Sequence, residues 1–284
     1  MKTLWLRLLL ALLAVGCKGG RTTTSQPALR LAMIPSTDPG KIVRESQPLV
    51  NYLERETGTR VELVVSTDYG AVVEAIANDR VDTAYLGSFT LVRASQRAGV
   101  QPMVQREGDQ NFHSVFITQF GSGINTLADL KGHSFAFGDV NSTSGHLMPA
   151  YYMRAAGIDP GALSKTLYTG GHDATALAVA NKKVDVGAMD ELVLDSMLKS
   201  GKVAASQVKV FYTTPAFFDY VWAARKGLDQ KLNNGFAVAF LKLDASNAEN
   251  KVLLDLLNAT KYVRAQDASY DKLRQAAHAE GLLQ

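Results

Sequence analysis

The chain has 284 residues, enough for one large domain or two lobes of about 100 residues each. Its 46% hydrophobic and 20% charged residues are ordinary for a soluble, well-cored α/β protein, and a formal charge of +3 with no Lys/Arg cluster excludes a nucleic-acid footprint. A single cysteine excludes disulfides, zinc-knuckle spacing and thiol catalysis from a core cysteine.

In chain order, residues 1–16 read as a secretory signal peptide. Lys2 and Arg7 supply positive charge, and Leu8 to Val15 form an apolar run too short for a bilayer, which takes about 20 residues. The run ends at Ala14-Val15-Gly16-Cys17, which resembles a lipobox with alanine where leucine is more usual. Cys17 is therefore expected to carry a lipid anchor; the alternative is a plain cleaved signal with a stray cysteine. Loss of the signal leaves 28 basic and 27 acidic side chains, close to neutrality. Residues 17–28 are small and polar after the cysteine and suit a flexible tether.

From Leu29 short apolar runs alternate with longer amphipathic ones. Strands are expected at Leu29–Ile34, Val61–Val65, Asp82–Leu86 and Gln101–Gln105, with helices at Ile42–Glu56, Tyr69–Asn78 and Ser88–Arg97 between them. A second series has strands Ser134–Phe137, Lys165–Tyr168 and Val184–Met189, with helices Ser142–Ala156 and His172–Ala180. The tail from Asp229 reads as two or three amphipathic helices. This alternation predicts an α/β fold of two lobes, each an open, mostly parallel sheet flanked by helices. The apolar runs Ser114–Thr118 and Tyr220–Ala224 are the expected crossover hinge strands. They divide the chain into one lobe of 29–113 with 223–284 and another of 114–222.

Ala77-Asn78-Asp79-Arg80-Val81-Asp82 is echoed by Ala180-Asn181-Lys182-Lys183-Val184-Asp185, 103 residues later. The same offset pairs Tyr69 with His172, each at a helix start, and Gly87-Ser88 with Asp190-Glu191, each past a strand end. Open α/β sheets bind ligands outside the carboxyl ends of their strands, so facing lobes would line one cleft with these pairs.

The local signal for chemistry is Asp139-Val140-Asn141-Ser142-Thr143-Ser144-Gly145-His146. It follows a strand and precedes a helix whose first turn presents free N–H groups and a partial positive charge, a ready anion site. Ser142, Thr143 and Ser144 add hydroxyl donors suited to a tetrahedral oxyanion; the same residues also fit an ordinary N-cap. Asn-Ser-Thr-Ser-Gly-His before Leu-Met-Pro-Ala-Tyr-Tyr resembles the periplasmic phosphonate/phosphite/phosphate-binding family of ABC transporters. So do Gly171-His172-Asp173-Ala174, Asp68-Tyr69 and Ala84-Tyr85-Leu86-Gly87, over about residues 29–245.

The resemblance implies a type II two-lobed solute-binding protein without catalysis, cofactor or metal, acting as a monomer with a membrane permease and its ATPase. Ser142, Thr143 and Ser144 would grip the oxyanion, His172 would donate beside them, and Tyr69 and Tyr85 would donate from the opposite lobe. Asp219 would accept a proton from a P–OH group, which sulfate lacks, and Tyr220 would bring an aromatic face to a small substituent. Asp190 or Glu191 would hold an amine, or would simply cap the next helix. Phosphite, methylphosphonate, 2-aminoethylphosphonate and phosphate all stay open as ligands. So do two other classes: a sensor passing the same ligand to a membrane receptor, and an exported hydrolase using His172 and Asp219. The last has no Gly-x-Ser-x-Gly elbow. His133 and His146 lack a carboxylate or cysteine at metal-ligand spacing, and His113, opening a crossover run, suits hinge packing.

Overall fold

A computed structural model describes residues 28–283. The chain runs β1 (Leu29–Met33), α1 (Pro39–Glu45), α2 (Gln47–Thr57), β2 (Val61–Val64), α3 (Tyr69–Ala77), β3 (Thr83–Leu86), α4 (Ser88–Ala98), β4 (Gln101–Arg106) and β5 (Ser114–Gln119). It continues β6 (Ser134–Phe137), α5 (Met148–Ala155), β7 (Lys165–Tyr168), α6 (His172–Ala180), β8 (Val186–Asp190), α7 (Glu191–Lys199) and β9 (Val208–Thr213). It ends with β10 (Val221–Ala224), α8 (Gln230–Leu241), α9 (Ala248–Leu256), β11 (Tyr262–Arg264) and α10 (Asp271–Ala279).

Two sheets form, ordered β11-β4-β10-β3-β1-β2 and β7-β6-β8-β5-β9. Alternation along the second sheet's strands sends Phe116, Phe135, Phe137 and Val186 to one hydrophobic cluster and Val115, Ile117 and Ala136 to the other. Helices therefore cover both faces, as the repeating strand and helix pattern predicts. Each sheet keeps a parallel set of strands but is mixed. β1 pairs parallel with β2 and β3, and β6 with β7 and β8, but β5 and β10 enter antiparallel. The reason is the crossing: each of these strands arrives directly from the other sheet, with no helix to reverse its direction. The two expected crossover runs thus belong to one sheet each. The passage itself lies at Phe112 and Phe217, whose backbones exchange hydrogen bonds of 3.0 Å.

Two helices differ from their expected spans. The run Ile42–Glu56 is broken at Ser46 because Pro48, in the first turn of α2, has no N–H to donate back across the break. The run from Ser142 opens with a π-helical turn, Thr143–Leu147, before α5, since Pro149 cannot donate to Gly145. The freed Gly145 carbonyl accepts instead from Gly138 N at 2.9 Å. β9 and β11 were outside the expected elements.

The halves meet closely. His172 N donates to Ser36 O at 3.0 Å, Asp38 N to Asp173 Oδ2 at 3.2 Å, and Arg154 Nε to Glu280 Oε2 at 2.8 Å. Arg93 also donates to Asn141.

Candidate ligand-binding site

Ser142 caps the turn after β6, its Oγ accepting from Gly145 N at 3.0 Å. The first internal bond of that turn runs from Leu147 N to Ser142 O, so the amides of Thr143 and Ser144 have no intrahelical acceptor. Gly145 keeps this packing tight: a Cβ there would stand 3.0 Å from His172 Cε1 and 3.1 Å from Gly138 Cα, so its neighbours would have to give way. Ser142, Thr143 and Ser144 are buried between the halves, not inside one of them. Phe89 N, in the first turn of α4, donates to Thr143 Oγ1 at 3.0 Å. Gly87 permits this approach, since a Cβ there would lie 3.0 Å from the same oxygen.

Tyr69 opens α3 and its hydroxyl lies beside Ser142, buried and without a hydrogen-bond partner. Burial, then the charges of Asp139, Asp190 and Asp219, push this phenol well above its ordinary value, so it remains a neutral donor. His172 opens α6. Asp190 N donates to its Nδ1 at 3.3 Å, which leaves the ring proton on Nε2, 3.4 Å from the Tyr220 hydroxyl. Burial pushes the imidazole below its ordinary value, against the pull of Asp190 and Asp173. Tyr220 in turn donates to Asp190 Oδ2 at 2.9 Å.

Asp190 serves two purposes with two oxygens. Oδ1 caps α7 by accepting from Leu192 N and Val193 N, at 2.7 and 3.0 Å, while Oδ2 faces Tyr220. Glu191 departs from the expected set. Its Oε1 accepts from His113 N at 3.1 Å, at the crossing segment.

Asp219 Oδ1 accepts from Ser88 N at 3.1 Å, and Oδ2 is buried with no partner. Burial pushes this carboxyl up to about 8; Ser88 N–H and the Thr143 hydroxyl hold it down, and Asp109 and Asp190 push it further up. Tyr85 forms one wall of the cleft. Its ring stacks on Tyr220 at 5.3 Å and tilts against Trp222 at 4.9 Å; burial first, then Asp109, Tyr262 and Asp190, push its phenol well above the ordinary value, against the pull of Arg106. A cleft of about 430 Å³ adjoins the cluster, bounded by Tyr85, Asp190 and Tyr220 and by the more exposed Lys41 and Lys202.

The offset pairing placed Ser88 at the cleft, whereas Phe89, Arg106 and Asp109 were missed as supports of the site; Arg106 and Asp109 lie in Gln105-Arg106-Glu107-Gly108-Asp109, which carries no motif. His113, His133 and His146 have structural partners: His113 Nδ1 lies 2.7 Å from Thr214 O, His133 Nδ1 3.5 Å from Asp185 Oδ2, and His146 bonds Val140 O and Tyr168. Among the described residues no cluster of three or more His, Cys, Asp or Glu is placed to hold a metal. Cys17, the signal segment and the tether up to residue 27 lie outside the described residues.

The family model for the periplasmic substrate-binding protein of phosphonate ABC transporters matches residues 31–270. The chain belongs to this phosphonate-binding family. One relative in it, the phosphate-import protein PhnD of Mycolicibacterium smegmatis, is 32% identical over 77% of this chain and 74% of its own length. Another, the phosphonates-binding periplasmic protein of Escherichia coli, is 29% identical over 89% and 76%. The solved structure of PhnD1 from Prochlorococcus marinus, in complex with methylphosphonate, superposes with a TM-score of 0.86 at 26% identity, covering 90% of this chain and 99% of that one. The phosphonate-binding family thus accounts for the two-sheet architecture and the crossing between its halves.

Proposed function

We propose that this protein captures a small phosphorus oxyanion (phosphite, a phosphonate or phosphate) in the periplasm and delivers it, from a lipid anchor at Cys17, to an ABC permease and its ATPase. One observation carries the reading: two buried polar atoms, Tyr69 Oη and Asp219 Oδ2, have no partner and flank a helix start whose first amides are free. Buried polar groups are nearly always satisfied, and these two, alone of the unpartnered side-chain atoms among the described residues, lie beside Ser142 and Thr143, where a ligand would complete them. A tetrahedral anion beside Ser142, Thr143 and Ser144 supplies acceptors to Tyr69, to the hydroxyls and to the amides. It also gives Asp219 an oxygen with which to share a proton.

The titration of Asp219 revises its expected part. A carboxyl held up to about 8 carries its own proton at neutral pH, so it donates to a doubly ionised ligand or, ionised, accepts from a singly ionised one. The complex contains one proton in either case. His172 would turn its Nε2–H from Tyr220 to the ligand, and Asp190, already accepting from Tyr220, would take the amine of an aminophosphonate. The match to a family of periplasmic substrate-binding proteins over residues 31–270 favours a binder over a hydrolase.

Calorimetric titration with phosphite, methylphosphonate, 2-aminoethylphosphonate, phosphate and sulfate tests the reading. Saturable binding of a phosphorus oxyanion, with sulfate rejected, is expected. Binding of none of the four, or turnover of any of them, would overturn it.

A further inference from the structure

Asp219 and Tyr220 are consecutive in the site, and each is held from behind by one member of a buried ion pair. Arg106 ends β4 and Asp109 lies in the 3-10 turn that follows. Their side chains meet in a fork, Nε to Oδ2 at 2.8 Å and Nη2 to Oδ1 at 2.5 Å. Arg106 is the only buried arginine or lysine among the described residues. Asp109 Oδ2 also accepts from Arg106 N at 3.2 Å, which closes the turn and directs the Asp109 carbonyl to Asp219 N at 2.9 Å. The Arg106 guanidinium stands 5.2 Å from the centre of the Tyr220 ring, within cation–π range, and its remaining nitrogen donates to Leu257 O at 3.2 Å.

Burying two charges costs about as much as their attraction returns, so net stability is a poor reason for such a pair. Placement is a better one. We propose that Arg106 and Asp109 form a positioning pair for the ligand site, Arg106 setting the Tyr220 ring and Asp109 setting the Asp219 backbone. The proposal rests on the reading of Asp219 and Tyr220 as ligand contacts. Arg106 also borders the cleft, but each of its three nitrogens is bonded to Asp109 or Leu257, so its part in the pair is to hold the Tyr220 ring. A lysine keeps the charge but has no planar fork, and so cannot hold Asp109 at two points while lying over the ring.

The test is a cycle on the full chain: Arg106→Lys, Tyr220→Leu and both together, each titrated with phosphite and methylphosphonate. Arg106→Lys is expected to weaken binding about tenfold alone but less than about twofold in the Tyr220→Leu background, the mark of coupled residues. Equal losses in both backgrounds, or no loss at all, overturn the proposal, because a general loosening of the fold would not depend on Tyr220. If Arg106→Lys fails to fold, Arg106→Met with Asp109→Asn removes both charges and takes its place in the cycle. A ligand-free reading separates this proposal from the function it rests on. In chain labelled at the tyrosine ring carbon that bears the hydroxyl, the Tyr220 resonance, assigned through Tyr220→Phe, should move on Arg106→Lys. A resonance that stays put overturns the pair's role even if no phosphorus ligand binds; a moved one supports it in that case too.

Discussion

The amide of Phe89 donates to the hydroxyl of Thr143 at 3.0 Å, joining the first turn of α4 to the turn that follows β6. Each turn is a helix start, and each carries the partial positive charge of unpaired N–H groups. Ser88 N, one residue earlier, is bonded to Asp219. Two helix ends from opposite halves thus converge on one carboxyl and one threonine, which concentrates positive potential without a lysine or arginine side chain at the centre.

Removing the hydroxyls tests that convergence. Ser142→Ala, Thr143→Ala and Ser144→Ala together are expected to weaken oxyanion binding by on the order of 100-fold or more, since each hydrogen bond to a charged group contributes about 1.5–3 kcal/mol. Loss of the Ser142 cap costs about 1 kcal/mol, so the unfolding transition should stay cooperative. Calorimetry and thermal unfolding on the same sample separate the two effects.

Asp219 makes affinity depend on pH. With its carboxyl held up to about 8, the ligand-free site carries the shared proton below that value and must take one up above it. Affinity for phosphite should therefore fall about tenfold per pH unit above pH 8, the slope of a single-proton linkage. Asp219→Asn should flatten this fall and admit sulfate. A slope unchanged in the variant would assign the proton elsewhere.

The same group affects stability in the ligand-free chain. Its folded value lies above the ordinary 3.8, so folding takes up a proton between those values, and its contribution is full below about pH 4 and lost as pH rises towards 8. Asp219→Asn has no such proton to bind. The variant should melt higher than the parent at pH 7, with the gap narrowing towards pH 4 in a series of thermal unfolding curves.

Arg154 and Glu280 join the halves away from the site, at 2.8 Å. Arg154→Gln should lower affinity for every ligand by the same factor, a few-fold, because it shifts only the population of the closed form. A change in the ratio of phosphite to methylphosphonate affinity would refute this; small-angle scattering should show a more open ligand-free chain.

For the anchor, Cys17→Ser should move the protein from the membrane to the soluble fraction of fractionated cells. Continued membrane retention would argue for another attachment.

Much of the architecture could be read in the sequence through the 103-residue echo. Helices α3 and α6 begin at the paired Tyr69 and His172, and α4 and α7 at the paired Ser88 and Glu191. The turns between repeat the pattern to the residue: Asp79 and Lys182 both adopt positive φ, 54° and 56°. Asp82 accepts from Arg30 N at 2.9 Å, and its counterpart Asp185 from Ser134 N at 2.8 Å. Such signals are local, carried by helix caps, tight turns and apolar spacing, all of which act within a few residues.

Which side chains share the cleft was a different matter. Asp190 and Glu191 are adjacent acids at a helix start, and only the packing of α7 turned one to Tyr220 and the other to His113. Tyr85 became a stacked wall because β3 and β10 lie side by side, 135 residues apart from Tyr85 to Tyr220. The ion pair behind Asp219 carries no signal in the sequence, because its burial arises only where the halves cross. Composition and periodicity decided the elements and the helix start that invites an anion; contacts between distant segments decided its neighbours and their protonation, because burial and electrostatic partners exist only once the chain has closed.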